Sequence, residues 1–397
     1  MRIAPTRLAL VTLVGAATGL ALAAFLKILL LIEALYAPVA TLPGALGEGG
    51  PVRFAWGPLY FLAPPLALIG VMASYIVKRA LGVAAFGVDA ASRAYYGEGE
   101  LGLRELLVGL TASPILLGLG GSAGPEGPAA AIGASIAGLA NRRVKWRELY
   151  AAGMAAGIGG IFRAPIGGAV FAAEVLNKWG LLPYALTASL ASYAVFSSLT
   201  GFSPLFGAVA LAVSPPAVLG AALTGVVAGV AGVAFSSLIK AAREYAGAPA
   251  LAVAGAITGA ATPIFPTVLG AGYGWAQALL LGAAVFPSIM PLWLYLAASA
   301  AAKIALTSLT VGAGAPGGVV APAVVFGSFI GGSMALLLRL PIAPLALAGA
   351  AGALASSLKT PVASALICAE LAASPIALIY TAPAALMAYA LRRGLRA

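Results

Sequence analysis

The chain has 397 residues, of which 62% are hydrophobic and only 8% charged, and its mean hydropathy is +1.06. Soluble globular proteins usually carry about a quarter charged residues, so this composition excludes a soluble globule and predicts an integral membrane protein. The formal net charge of +11 comes mainly from short basic clusters at the ends of apolar segments. Such clusters are typical of cytoplasmic segment ends rather than of nucleic-acid binding, so no nucleic-acid partner is expected.

Apolar runs long enough to cross a bilayer of about 30 Å recur along the whole chain. They include residues 8–26, 57–77, 181–199 and 217–239. The first run follows Arg2 and Arg7 but continues for about 28 residues without a cleavage site, which predicts a retained helix rather than a signal peptide. Because basic residues also cluster at Arg392 and Arg396, we expect a multi-pass protein of the cell membrane, embedded in lipid, with both termini cytoplasmic. No soluble domain is expected within residues 1–397.

Residues 120–128 read Gly-Gly-Ser-Ala-Gly-Pro-Glu-Gly-Pro and open a long apolar segment, residues 129–139. Glycines allow a sharp turn, and Pro128 suits the first turn of a helix. A helix that begins inside a membrane has unsatisfied amides and about half a positive charge, which favour an anion. Gly124 and Gly127 are therefore predicted to border an anion site. Glu126 can supply the anion itself, so we predict that it is a gate that must move or take up a proton when a permeant anion competes. The alternative is that Glu126 only caps its helix.

The second half of the chain repeats this arrangement. Residues 314–322 read Gly-Ala-Pro-Gly-Gly-Val-Val-Ala-Pro, and the final proline of this motif follows that of the first motif by 194 residues. Glu174 and Glu370 are 196 residues apart, each at the same distance after a proline. Two hydrophobic halves with matching breaks are typical of transport proteins whose site lies between repeats. We predict repeats near residues 80–205 and 215–391.

Val320 stands in the second motif where Glu126 stands in the first. With no carboxylate of their own, the amides of Val319 and Val320, next to Gly318, are predicted to hold an external anion. Such a site has no lysine or arginine in contact with the ion, which suits conduction because a full positive charge would hold the ion too long.

Three motifs together resemble the CLC family of chloride channels and proton-coupled chloride transporters. They are residues 121–128, residues 162–174 and residues 314–322, and the segment from Lys359 to Glu370 fits the family's later helix pair. The resemblance implies an all-α integral membrane protein built from two inverted-topology repeats of tilted and broken helices. It also implies a homodimer with a separate ion path in each subunit, chloride as the substrate, Glu126 as the external gate, and the amides of Val319 and Val320 as chloride donors.

The inner anion site departs from the family pattern. The turn that carries a serine ligand in the family corresponds here to residues 85–89, so Phe86 or Gly87 stands in the place of the serine. We expect Asp89 to cap the following helix. No tyrosine follows the last short turn, and Tyr380 and Tyr389 are poor substitutes by position. The selectivity is therefore left open among chloride, fluoride, nitrate and bromide.

The inner proton path departs as well. Proton-coupled members carry a glutamate directly after the residue that matches Glu174, and this chain has Val175 there and no histidine anywhere. Glu174 is a possible proton relay, or it is structural like its repeat partner Glu370. We predict channel-like or weakly proton-coupled chloride transport, with a fully coupled chloride/proton antiporter as the alternative.

Two other classes fit the sequence less well. A cation-coupled solute transporter would also have broken repeats, but it needs several carboxylates and hydroxyls at the breaks, where this chain has only Glu126. An intramembrane enzyme needs a nucleophile with a base or a metal cluster, and a chain with no histidine and the single cysteine Cys368 offers neither. We expect no enzymatic activity and no cofactor.

Overall fold

The computed structural model describes residues 5–34, 62–282 and 286–395. These residues form α-helices joined by turns and short 3-10 segments, and they contain no β-strand beyond one isolated bridge. Arg2, Arg396 and residues 57–61, which entered the predictions of the termini and of the second apolar run, lie outside the described residues.

The helices of the first half are α1 Pro5–Ala34, α2 Ala63–Ala80, α3 Val88–Tyr96, α4 Leu103–Leu110, α5 Ala112–Gly118, α6 Glu126–Val144, α7 Glu148–Ile161, α8 Pro165–Val175 and α9 Leu182–Thr200. The first apolar run is one continuous helix, α1, as predicted. It packs against α9 and α7.

The helices of the second half are α10 Pro215–Arg243, α11 Ala248–Ala261, α12 Tyr273–Leu280, α13 Leu292–Gly312, α14 Val320–Leu338, α15 Ile342–Leu358, α16 Pro361–Leu371 and α17 Leu378–Gly394. Six described helices are long and apolar enough to cross a membrane, namely α1, α9, α10, α13, α14 and α17. The protein is therefore an integral, multi-pass membrane protein. The eleven-residue helices α8 and α16 are too short to span a membrane alone, and each begins at a proline.

Two pairs of helices, one member from each half, begin and end at equivalent residues. Both ends of α14 follow those of α6 by 194 residues, and both ends of α16 follow those of α8 by 196 residues. The backbone turns recur as well. Lys145 and Arg339 end α6 and α14 with left-handed φ angles of 51° and 56°, and Arg163 and Lys359 precede α8 and α16 with φ angles of 53° and 64°.

Small residues let the central helices of each half touch through their backbones. A Cβ atom on Gly133 of α6 would lie 2.0 Å from the carbonyl oxygen of Gly153 on α7. In the other half, a Cβ on Gly349 of α15 would lie 2.1 Å from the carbonyl oxygen of Gly327 on α14. Close contact of this kind is usual in lipid, where dispersion contacts rather than water exclusion hold helices together. It fixes the starting points of α6 and α14, where the functional site lies.

Candidate functional site

The two glycine motifs meet at an antiparallel bridge between Gly124 and Gly318. The Gly124 amide donates to the Gly318 carbonyl at 2.8 Å, and the Gly318 amide donates to the Gly124 carbonyl at 2.7 Å. Glycine is required here because a Cβ on Gly318 would lie 2.5 Å from the Gly127 nitrogen. The breaks predicted from the repeated motifs therefore lie side by side, one from each half of the chain.

Side chains of the first half hold the second motif in place. The Ser113 hydroxyl donates to the Pro316 carbonyl at 2.7 Å, and the Lys78 ammonium donates to the Gly314 carbonyl at 2.9 Å. Irregular backbone at membrane depth has to be satisfied within the protein, because no water is available there. These bonds satisfy the carbonyls of the turn that leads into α14.

Glu126 is the first residue of α6, and its fully buried side chain reaches the start of α14. Its Oε2 atom accepts a hydrogen bond from the Ala321 amide at 3.0 Å, and its Oε1 atom accepts one from the Tyr273 hydroxyl. The carboxylate thus lies at the N-terminus of a helix from the other half, where an anion is favoured. Among the described residues, the amides of Val319 and Val320 have no acceptor.

A cavity of about 700 Å³ leads to these helix starts. Its lining includes six residues that the sequence assigns to the anion site, namely Phe86, Gly87, Gly127, Gly318, Val319 and Val320. A Cβ on Gly87 would lie 3.9 Å from the Gly127 Cα atom, so the α3 turn faces the start of α6. Gly124, which was also assigned to the anion site, does not line the cavity but is hydrogen-bonded to Gly318, which does. Anion binding by these residues stays a prediction.

Four basic residues also line the cavity, namely Lys240, Arg243, Lys359 and Arg392. Asp89 lies among them, and its Oδ2 atom pairs with Arg243 Nη2 at 2.8 Å. The prediction that Asp89 caps α3 is wrong, because α3 has no side-chain cap. The end of α10 brings Arg243 within reach, and a guanidinium is a stronger partner for a carboxylate than a backbone amide.

Glu174 and Glu370 make reciprocal contacts between the halves. Glu174 accepts from the Val362 and Ala363 amides at 3.1 and 2.8 Å, at the start of α16. Glu370 accepts from the amides of residues 166 and 167 at 3.1 and 2.6 Å, at the start of α8. Each carboxylate therefore satisfies the helix start of the other half. Glu174 and Val175 also line the cavity, and a proton-relay role for Glu174 stays a prediction.

Two buried residues of the second half, Tyr273 and Lys303, were not found by sequence reasoning. Tyr273 begins α12, is fully buried and donates to Glu126. Lys303 of α13 is also fully buried, and its ammonium donates to the carbonyls of Val268 and Gly270 at 3.0 and 2.6 Å. Lys303 is the single charged residue of an otherwise apolar span, which is a signal for a functional or structural role. Tyr273 carries no such signal.

The late tyrosines lie in two different places. The Tyr380 hydroxyl donates to the Ala212 carbonyl at 2.6 Å and accepts from the Ser214 amide at 3.0 Å, so it joins α17 to the segment before α10. Tyr389 lines the cavity. No described hydrogen bond joins either residue to Glu126.

The model of the voltage gated chloride channel family matches residues 67–393. The chain belongs to this family, the CLC family. The voltage-gated ClC-type chloride channel ClcB of Salmonella dublin is 32% identical in an alignment of length 298 that covers 69% of this chain and 69% of that protein.

Two solved structures share the fold. One is described as a slow cyanobacterial Cl⁻/H⁺ antiporter, with a TM-score of 0.81 and 20% identity over 99% of this chain and 96% of the other. The second is described as a CLC-type fluoride/proton antiporter, with a TM-score of 0.74 and 23% identity over 98% and 96%. The all-α fold of this chain is therefore the CLC fold, and chloride transport is the activity of its family.

Proposed function

We propose that this chain lets chloride cross the membrane down its own gradient, with Glu126 as the gate and with weak or no coupling to protons. The observation that carries the proposal is the position of the Glu126 carboxylate, which accepts the Ala321 amide at the start of α14. A carboxylate there holds the place that an anion prefers. The anion can therefore pass only when this side chain leaves.

The path to the gate suits a small anion. The basic residues around the cavity raise the local concentration of anions, while the helix starts at its end present amides rather than full charges. An ion attracted into the cavity is thus bound weakly enough to leave again.

Weak coupling is supported by the inner wall of the same cavity. Val175 cannot carry a proton, and the neighbouring Glu174 accepts two amides of α16. To relay a proton, the Glu174 carboxylate would have to give up its hydrogen bonds with the two amides at the start of α16. The alternative is a fully coupled antiporter, as the two structures that share the fold are described.

Flux from proteoliposomes separates the two. Vesicles loaded with chloride are diluted into low-chloride buffer, with and without a potassium ionophore that clamps the voltage, while chloride and internal pH are both recorded. We expect chloride efflux that needs the ionophore, with little proton movement against a gradient. Strong uphill proton uptake would instead establish the antiporter, and an absence of chloride flux would contradict the proposal.

We also propose that the chain is a homodimer in the bilayer with one ion path in each subunit, as its family membership implies. Apolar side chains are exposed on α9 and α17, among them Leu190 and Leu386. These faces need either lipid or a second copy to cover them. Single-molecule photobleaching in liposomes should give two bleaching steps for each complex, and one step would contradict the dimer.

A further inference from the structure

The Glu126 carboxylate is held by two donors from the second half of the chain. One is the Ala321 amide, and the other is the Tyr273 hydroxyl. Both donors are buried, and Tyr273 is among the largest fully buried side chains of the described residues. When Glu126 moves away, neither donor can turn to bulk water. A buried donor without an acceptor costs about 1–3 kcal/mol, so both need a replacement.

Tyr273 does not depend on Glu126 for its position. Its ring packs edge-on against Phe162, which follows α7, and against Phe206, which lies between α9 and α10, with centroid distances of 6.3 and 5.9 Å. The turn before it, which includes Gly272 at φ 85°, is held by Lys303 through the carbonyls of residues 268 and 270. The hydroxyl therefore stays where it is when the gate side chain leaves.

We propose that Tyr273 is a ligand of the permeant anion: its hydroxyl, which donates to Glu126 in the closed state, donates to the anion that replaces the carboxylate. The Ala321 amide passes to the anion in the same way. This inference rests on the gate role proposed above and adds a side-chain ligand to it. It supplies a hydroxyl donor at a site whose inner turn offers only Phe86 and Gly87.

The chemistry of the phenol suits the task. A hydroxyl donates one hydrogen bond and carries no charge, so it recognises an anion without trapping it. It makes a directional contact that complements the diffuse positive end of α14. The Tyr273 hydroxyl therefore donates to Glu126 in the closed state and to the anion in the open state. This buried hydroxyl has an acceptor in both states.

The test replaces Glu126 first. A role of Tyr273 in binding the anion can then be separated from a role in holding the Glu126 side chain. Chloride binding is measured by calorimetry on purified protein carrying Glu126→Ala, and then on protein carrying both Glu126→Ala and Tyr273→Phe. Phenylalanine keeps the ring and its contacts with Phe162 and Phe206. We expect the second protein to bind chloride at least about tenfold more weakly, since tenfold corresponds to about 1.4 kcal/mol, close to the lower value for a hydrogen bond to a charged group.

The matched control is Tyr380→Phe in the same Glu126→Ala background. Tyr380 is also fully buried, but its hydroxyl contacts only the backbone of residues 212 and 214. It should leave the chloride affinity unchanged. Equal chloride affinity of the proteins with and without Tyr273→Phe would overturn the proposal. A tyrosine that only held the Glu126 side chain would have no effect once Glu126 is replaced by alanine.

Two further arms keep the outcomes separate. If Tyr273→Phe prevents folding, replacing Tyr273 by difluorotyrosine gives a more acidic hydroxyl that donates a stronger hydrogen bond, and chloride should then bind more tightly; unchanged binding would overturn the proposal. If Glu126→Ala protein binds no chloride, nitrate or fluoride and gives no flux, the proposed function itself fails. Binding and flux by that protein, with no effect of Tyr273, would contradict only the ligand assignment.

Discussion

At the scale of single residues, Glu126 is an acceptor shared between the two halves of the chain. It begins a helix of the first half and accepts hydrogen bonds from Ala321 and Tyr273 of the second half. Because both donors favour a negative charge, the carboxylate occupies the place at the start of α14 that an anion prefers, and under the proposed gating the two compete for it. Protonation removes that charge and weakens both bonds.

The first prediction follows from this competition. In the wild type, chloride flux should rise as the pH falls, since a protonated Glu126 gives up its place more readily. Glu126→Gln has no charge to gain or lose, so its flux should be high and nearly independent of pH. Chloride efflux from proteoliposomes between acidic and neutral pH measures this. If Glu126→Gln kept the wild-type pH dependence, Glu126 would not be the gate.

The second prediction concerns Lys303, whose ammonium satisfies two buried carbonyls of the turn before Tyr273. Lys303→Met keeps the length of the side chain but leaves both carbonyls without their donor, at a cost of about 1–3 kcal/mol. We expect a lower thermal unfolding midpoint in detergent and a less well-defined gate, seen as faster chloride leak at neutral pH.

The exposed Lys27 of α1 provides the control for this prediction. Lys27→Met removes a lysine from a helix without disturbing any carbonyl of the Tyr273 turn. It should change neither the unfolding midpoint nor the leak. Equal effects of the two substitutions would show that Lys303 contributes only its charge and not its two hydrogen bonds.

The sequence identifies Glu126 and not Tyr273 for a physical reason. Glu126 lies inside a motif whose local geometry, a glycine turn before a helix, already determines what its side chain meets. Tyr273 reaches the site through the packing of α12 against α14, which no local pattern encodes. The carboxylate also contacts the amide of Ala321, one residue beyond the predicted amides of Val319 and Val320.

At the scale of helices, α8 and α16 are joined by their reciprocal glutamates. Each begins with two amides that have no acceptor within their own helix and that donate to the carboxylate from the opposite half. A carboxylate close to a helix start also interacts favourably with the positive end of the helix. The contact therefore fixes the distance between the halves beside the cavity.

This symmetry allows a matched test of the proton-relay role. Glu174→Gln and Glu370→Gln should each lower stability by a similar amount, about 0.5–2 kcal/mol, as expected for a weakened helix cap. Thermal unfolding in detergent measures the pair. We expect the two proteins to conduct chloride alike, with no difference in proton movement. A loss of proton movement in Glu174→Gln alone would show that Glu174 is a relay as well as a cap.

The short helices were predictable because glycine and proline mark their starts in the sequence. The side chains that contact the helix starts were harder to predict. The Asp89 cap was predicted from residues adjacent in sequence, but Arg243, 154 residues away, provides the partner instead. Local capping rules describe the helix end in isolation and cannot anticipate a guanidinium delivered by α10.

At the scale of the whole molecule, positive charge predominates in the lining of the cavity. Lys240, Arg243, Lys359 and Arg392 line it, and among its lining residues only Asp89 and Glu174 carry negative charge. A cavity with this distribution raises the local anion concentration at low ionic strength, and salt screens the effect over about 10 Å at 0.1 M.

The fourth prediction is a salt-dependent loss of flux in Lys240→Glu. Lys240 is exposed, so its replacement disturbs little packing. We expect chloride flux at low ionic strength to fall several-fold and to recover towards the wild-type value at high salt. Lys27→Glu, outside the cavity, should have little effect at either salt concentration. A loss that persists at high salt would indicate a direct contact with the ion instead of steering.

Part of the architecture could be predicted from the repeated motifs, because an offset near 195 residues pairs two of the breaks in one half with two breaks in the other. The same offsets recur in α6 with α14 and in α8 with α16. The bonds that hold the motifs together, from Ser113 and Lys78 to the second turn, could not be predicted. They join residues more than 200 positions apart and depend on how the halves dock.

The bridge between Gly124 and Gly318 restricts the motion that transport can use. Many proteins with repeated halves work by rocking one half against the other. Rocking at this point would break two backbone hydrogen bonds, and the freed groups of Gly124, which does not line the cavity, would lose their partners. Rotation of one glutamate side chain leaves both bonds intact. Under the proposed gating, transport needs the movement of only this one side chain. We therefore expect chloride turnover in proteoliposomes to respond only weakly to temperature and to the fluidity of the surrounding lipid.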